Sequence, residues 1–292
     1  MKYVDFFGHK VSKLIVGDNP FNGHSYITDV ISGKEMSDYH TEDKILEAMH
    51  RMEELGINTM LPLADPYIIR ILQHYRSNGG KMNFIFQPYM PMNQDVSMNQ
   101  MMTVDPIGIY HQGTTTDFNF ETGNKQKTID LLKNYKKMGV PVGVGTHRSD
   151  VIEASESEDW GADFYVRCMY NARRNREGVE SGFLTGKTKQ GLIFRPDDRE
   201  EVLKDLQGLK KPIIAYKIFA GGQMLVNKTS EEKKSAIKDA YNTIFTALKP
   251  NDFAAIGVFQ KYEDQLTENI NIFNEWADEN QEKNKINTSE SI

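Results

Sequence analysis

The sequence predicts an α/β fold, specifically a (β/α)8 barrel of the TIM type, and three observations carry the prediction. Short apolar runs of strand length alternate with stretches whose apolar residues recur at helical spacing. Several helical stretches stop at a glycine, the residue that most easily takes the left-handed conformation ending a helix. The strands run into polar, chemistry-bearing residues, as they do at the C-terminal rim of such a barrel. Gly139–Arg148 (GVPVGVGTHR) shows all three in ten residues: a stop, a buried run over Val140–Val144, then Gly145, Thr146, His147 and Arg148.

Taken in order, Val11–Gly17 is the first strand, followed by the turn-rich loop DNPFNGH. Thr41, with Glu42 and Asp43 behind it, caps a helix whose stripe is Ile45, Met49, Met52 and Leu55, and Gly56 stops it. Strand two is Ile57–Leu63, running into Asp65-Pro66-Tyr67 and a helix through Tyr75 to Gly79-Gly80. Strand three is Met82–Phe86, ending at Gln87; residues 89–103 form a loop with a short helix. Strand four is Pro106–Tyr110, ending at His111, and the next helix is Lys125–Met138. After strand five come a helix over Asp150–Trp160 and strand six, Asp163–Met169. Asn171–Arg195 breaks the rhythm with a long polar stretch bearing Arg173, Arg174 and Arg176. A helix over Asp198–Leu209 leads to strand seven, Pro212–Ile218. Thr229 and Glu232 have capping-box spacing for a helix to Leu248. Strand eight is Phe253–Val258, and the last helix runs from Glu263 to Ala277. Residues 1–278 are thus expected to form one barrel domain, with 279–292 a polar tail. An open doubly wound sheet is the competing fold, but DNPFNGHS after the first strand is no Gly-rich phosphate fingerprint.

The net charge of −6, from 35 basic and 41 acidic residues, speaks against nucleic acid as a partner. Cys168 is the only cysteine, which fits a reducing, cytoplasmic setting. The N-terminus lacks an apolar core, and no run of 18 apolar residues occurs, so neither a leader nor a membrane span is expected. The expected partner is a small-molecule substrate, with the oligomeric state left open.

The predicted rim gathers Asp18 and His24, Asp65 and Tyr67, Gln87, His111, His147 and Arg148, Arg167 and Cys168, Lys217, and Gln260 with Lys261. Histidines and carboxylates suit zinc, but neither HxH nor HExxH spacing occurs, and no metal ligands are assigned. Lys217 can serve as a Schiff-base amine or as a point charge. Anion binding is the favoured role, with Arg148, Arg167 and the 173–176 arginines in support. Cys168 is expected to be packed rather than reactive.

Several segments, in the same order, resemble the aldo-keto reductase superfamily. They are KVSKLIVGDNPFNG, IGIYHQGTT, YVRCMYN, PIIAYKIFAGG and GVFQKYEDQLTEN, spanning roughly residues 8–272. The resemblance implies a barrel with NAD(P) as a possible cofactor. It places a catalytic-site histidine at His111, a ring stacking on the nicotinamide at Tyr216, and adenine contacts at Glu268 and Asn269. The phosphate loop of the eighth strand would include Gln260 and Lys261. Tyr67 matches the family's tyrosine but follows Pro66. Leu61 or Pro62 stands where the family has its aspartate, and Gln87 where it has its lysine. Gly145-Thr146 and Arg167 replace the groups that hold the carboxamide, and Phe259 opens the phosphate loop.

The expectation is therefore a non-standard enzyme acting on a small polar or anionic, sugar-like substrate, with an NAD(P)-linked oxidoreductase as its leading class. His111 and His147 are its acid–base candidates together with Tyr67, and Asp18, His24, Gln87, Arg148, Arg167 and Lys217 its substrate ligands. The competing expectations are a metal- or lysine-dependent lyase or isomerase, and a barrel that binds a ligand without catalysis.

Overall fold

The computed structural model describes residues 1–171, 193–206 and 208–289, with side chains described as far as Asn280. The cluster Arg173, Arg174 and Arg176 lies outside the described residues.

Eight parallel strands close into a barrel in the order β10-β3-β4-β5-β6-β7-β8-β9. They are β3 (Leu14–Gly17), β4 (Thr59–Leu61), β5 (Asn83–Phe86), β6 (Gly108–His111), β7 (Val142–Thr146), β8 (Phe164–Cys168), β9 (Ile213–Tyr216) and β10 (Phe253–Ile256). The helices are α1 (Gly33–Tyr39), α2 (Glu42–Glu54), α3 (Pro66–Ser77), α4 (Gln94–Met102), α5 (Gly113–Glu121), α6 (Lys125–Tyr135), α7 (Ser149–Ser157), α8 (Pro196–Leu206), α9 (Ser230–Ala247) and α10 (Gln265–Ser289). Among the described residues, no helix is long and apolar enough to cross a membrane.

Alternation along the strands divides the core in two. Ile15, Ile85, Phe164, Val166, Ile214 and Phe253 pack inside the barrel. Their neighbours Leu14, Val16, Phe84, Tyr165 and Ala254 pack outward with the apolar stripes of the helices. The expected first strand is divided. Val11 and Ser12 belong to a hairpin, β1 (Tyr3–Phe6) with β2 (His9–Ser12), and the barrel strand starts at Leu14. The hairpin closes the N-terminal end of the barrel. Phe6 inserts its ring edge-on against Phe164 and Phe253, with centroids 5.1 and 5.5 Å away.

The predicted stop at Gly139 has φ 71°, and the Thr229–Glu232 capping box is complete. Thr41 occupies its N-cap position without a side-chain bond. Two helices, α1 and α5, were not predicted. The last helix continues past Ala277, and the segment expected as a tail from 279 is helical to Ser289.

Phe6 is 1 % exposed. Its truncation to alanine is expected to lower unfolding stability by about 3–5 kcal/mol, measured by urea denaturation, because the plugged end cannot collapse around the void.

Candidate active site

A cavity of about 850 Å³ opens at the C-terminal ends of the strands, within the size range of small-molecule sites. Its most connected polar group is His147, the residue after β7, which is 3 % exposed. Asp117 on α5 is fully buried and holds His147 from behind. One carboxylate oxygen, Oδ2, accepts from His147 Nδ1 at 2.8 Å and from the His147 backbone N–H at 3.1 Å. The other, Oδ1, accepts from the Thr146 hydroxyl. With Nδ1–H committed to a carboxylate, the free lone pair of the imidazole is on Nε2. There the Tyr216 hydroxyl donates at 2.9 Å and the Lys217 ammonium lies at 3.2 Å.

The protonation states follow from burial. The imidazole of His147 is pushed down to about 4, mainly by burial and then by the Lys217 charge, with Asp117 opposing. The Tyr216 hydroxyl is raised well above its usual value, again chiefly by burial. At neutral pH the pair is therefore a neutral base and a neutral proton donor. Lys217 Nζ sits 4.7, 5.3 and 5.4 Å from the ring centroids of Tyr26, Tyr216 and Phe194, over their faces. Lys217 also has φ 59°, a left-handed conformation costly for a residue with a Cβ.

Two glycines let α5 start directly against the end of β7. A Cβ on Gly145 would lie 2.7 Å from the His111 carbonyl oxygen, and one on Gly113 3.2 Å from Thr146 N. This close approach brings Asp117 under His147.

Of the expected site residues, Asp18, His24, Gln87, His147, Tyr216, Lys217, Glu268 and Asn269 line the cavity. Six do not, each for a local reason. His111 falls on the outward phase of β6, so Tyr110 faces the cavity instead. The His111 ring is fully buried, with Nδ1 2.7 Å from the Thr116 hydroxyl, and burial lowers it to about 4. Arg167 is likewise on the outward phase of β8, fully buried, donating to the Cys168 carbonyl and to Ser149 Oγ, both at 2.9 Å. Arg148 is held by Glu121 at 2.9 Å and by both oxygens of Asp150. Tyr67 stands 49 % exposed on the first turn of α3, where Asp65 is the N-cap. Gln260 caps the start of α10 through Leu266 N, and Lys261 pairs with Glu35 at 2.7 Å. Cys168 is buried with its thiol pushed up, as expected of a packed cysteine. Among the described residues, no three His, Cys, Asp or Glu side chains converge as a metal-ligand set.

Of the groups that the resemblance offered to a dinucleotide, Glu268 lines the cavity and the other four are engaged elsewhere. Gln260 and Lys261 are off the cavity, and Tyr216 is bonded to His147. Both ends of the Asn269 amide are engaged, by the Tyr241 hydroxyl at 2.9 Å and the Gln265 carbonyl at 2.8 Å.

Sequence reasoning missed Asp117 and Tyr110. Nothing in the periodicity marks α5: its apolar residues are Phe118 and Phe120, two positions apart and so on different faces of a helix. The strand alternation through Ile109 and Tyr110 was the available signal for Tyr110.

No family model matches the chain, and no curated protein matches it in sequence. Solved structures do match in fold. An aldo-keto reductase from Bacillus halodurans (holo form) aligns with TM-score 0.56 and 12 % identity over 93 % of this chain and 89 % of its own. A truncated 3-deoxy-D-arabino-heptulosonate 7-phosphate synthase from Thermotoga maritima gives 0.53 and 12 % over 100 % and 94 %. Dihydropteroate synthase from Xanthomonas albilineans gives 0.52 and 10 % over 94 % and 96 %. At these identities the likeness establishes the barrel and nothing narrower.

Two outcomes follow from the geometry. Gly145→Ala is expected to cost about 1–3 kcal/mol in urea denaturation, because strand and helix must separate to admit the methyl group. It should also move the His147 ring resonances in NMR, since Asp117 moves with α5. The second concerns pH. Burial raises the Asp18 carboxyl from 3.8 to about 7, so the folded state holds that proton more tightly than the unfolded chain. The resulting stability is fully present below pH 3.8 and is lost as pH rises through 7. Asp18→Asn should therefore gain on wild type by at most about 1.4 kcal/mol per pH unit between pH 4 and 7, measured by urea denaturation. His111 and His147 act oppositely: both are depressed from 6.5 to about 4, so their contribution is complete above 6.5 and is lost as pH falls toward 4.

Proposed function

We propose that the chain is an enzyme that moves a proton at the carbon beside a carbonyl group in a small, oxygen-rich substrate. The Asp117–His147–Tyr216 relay, with the Lys217 ammonium beside it, is the observation that supports this reading. The arrangement follows the general logic of a base oriented by a carboxylate, with a phenol as the group facing the substrate.

The steps balance without another reactant. The Tyr216 oxygen takes the proton from the substrate carbon while its own proton passes to His147 Nε2. The C–H electron pair becomes the new C=C bond, and the carbonyl π pair moves to oxygen, where Lys217 offsets the charge. Asp117 stabilises the imidazolium that forms. The proton of the neighbouring hydroxyl passes to the enolate oxygen, the C=C pair takes the carbon-bound proton back from Tyr216 at the adjoining carbon, and a new carbonyl forms where the hydroxyl was. His147 returns its proton to Tyr216, which completes an isomerisation and restores both groups. Isomerisation thus has more support than carbonyl reduction, most of whose expected NAD(P) contacts are otherwise engaged, but through the tyrosine–histidine pair rather than the expected metal or lysine adduct.

Solvent deuterium incorporation into a panel of small hydroxycarbonyl compounds tests the reading. Tyr216→Phe and His147→Ala should each slow exchange by about 10²–10⁴-fold. NADH and NADPH at millimolar concentration should leave the protein fluorescence unchanged; quenching would restore hydride transfer as the leading chemistry.

A further inference from the structure

The cavity has a second polar wall that the proton relay does not use. Asp18, in the loop after β3, is 7 % exposed and lines the cavity. Two donors converge on its Oδ2: the Leu63 backbone N–H at 2.6 Å and Asn22 Nδ2 at 2.7 Å. Both fix the carboxyl plane, and neither bonds to Oδ1. Gln87, at the end of β5, lines the same cavity, and its Oε1 accepts from the Tyr110 hydroxyl at 3.4 Å. That bond leaves the amide Nε2 as the donor end of the group.

The segment 62–64 locks these two residues to one backbone unit. Leu63 bonds Asp18 and also forms an isolated parallel bridge with Gln87. Ala64 N donates to the Gln87 carbonyl at 2.8 Å, and Gln87 N to the Pro62 carbonyl at 2.9 Å. In the barrel order β3 stands four strands from β7, so this wall faces His147 across the mouth.

We propose that Asp18 and Gln87 form a hydroxyl-reading subsite for an uncharged polyhydroxylated small molecule. Asp18 Oδ1 accepts one O–H, and Gln87 Nε2 donates to a neighbouring oxygen. The inference rests on the acid–base reading only in taking this ligand to be the substrate of that chemistry. A rigid acceptor beside a rigid donor complements a pair of hydroxyls, each of which both donates and accepts. Charge weighs against the alternatives. The Asp18–Gln87 wall offers an anion no cation, Arg148 and Arg167, the arginines expected to attract one, lie off the cavity, and Lys217 stands at the relay. A cationic ligand would meet Lys217 across the same mouth.

The test is calorimetric titration of the full chain with uncharged hexoses, hexitols and inositols, and with the matching sugar acids and sugar phosphates. Wild type should bind uncharged members at least about ten times more tightly than their anionic counterparts. Asp18→Asn and Gln87→Leu should each weaken that binding about ten- to hundredfold while keeping a native near-ultraviolet spectrum. If Asp18→Asn does not fold, Gln87→Leu carries the same expectation alone. Tighter binding of the anions, no binding by any member, or unchanged affinity in the folded variants would overturn the subsite. The two readings fail separately. Polyol binding sensitive to Asp18 without deuterium exchange keeps the subsite and removes the acid–base chemistry. Exchange indifferent to Asp18→Asn and Gln87→Leu does the reverse.

Discussion

The buried carboxylate of Asp117 is the constraint around which the mouth of the barrel is arranged. A fully buried carboxylate needs donors, and three come from two consecutive residues: the Thr146 hydroxyl, the His147 backbone N–H and His147 Nδ1. Satisfying that carboxylate therefore fixes the end of β7, the imidazole orientation and the tautomer together. The tautomer exposes Nε2, which gathers Tyr216 and Lys217 from the end of β9. One desolvated charge thus sets the geometry of residues from three separate elements.

How much of this was legible varies with the kind of signal. The barrel was legible because eight apolar runs alternate with helical stripes, and burial on both faces leaves continuous runs in sequence. Strand ends were legible to within a residue or two. That margin is what failed at the site, since a strand changes face at every residue. His111 and Arg167 were placed at the rim by position, but their phase sends them outward, and Tyr110 and Val166 face inward. His147 and Lys217 were placed at the mouth because they lie just past strand ends, and Tyr216 entered through the resemblance, as a ring stacking on a nicotinamide. Asp117 was not found, because α5 has no apolar stripe and its interior partner is a charge rather than a hydrophobic core.

The resemblance to aldo-keto reductases and the fold neighbours converge on the barrel and part company at the chemistry. Barrels with different reactions share these proportions, so the fold does not choose among them. A tyrosine, a lysine, a histidine and an aspartate do meet here, as they do in that family's active sites. Here they meet at or after the ends of β7 and β9 and on α5, and of the four the resemblance assigned only Tyr216, to a different role. The likeness in residue types thus arises from a different set of chain positions.

The left-handed backbone at Lys217 has an evolutionary implication. A residue with a Cβ gives up about 1–2 kcal/mol there relative to glycine. Selection for thermal robustness alone would thus favour glycine or asparagine at 217, and either would discard the ammonium beside the relay. Backbone comfort and the proposed chemistry pull this position in opposite directions, so a hardier variant with glycine there would part with the charge that the proposed relay calls for.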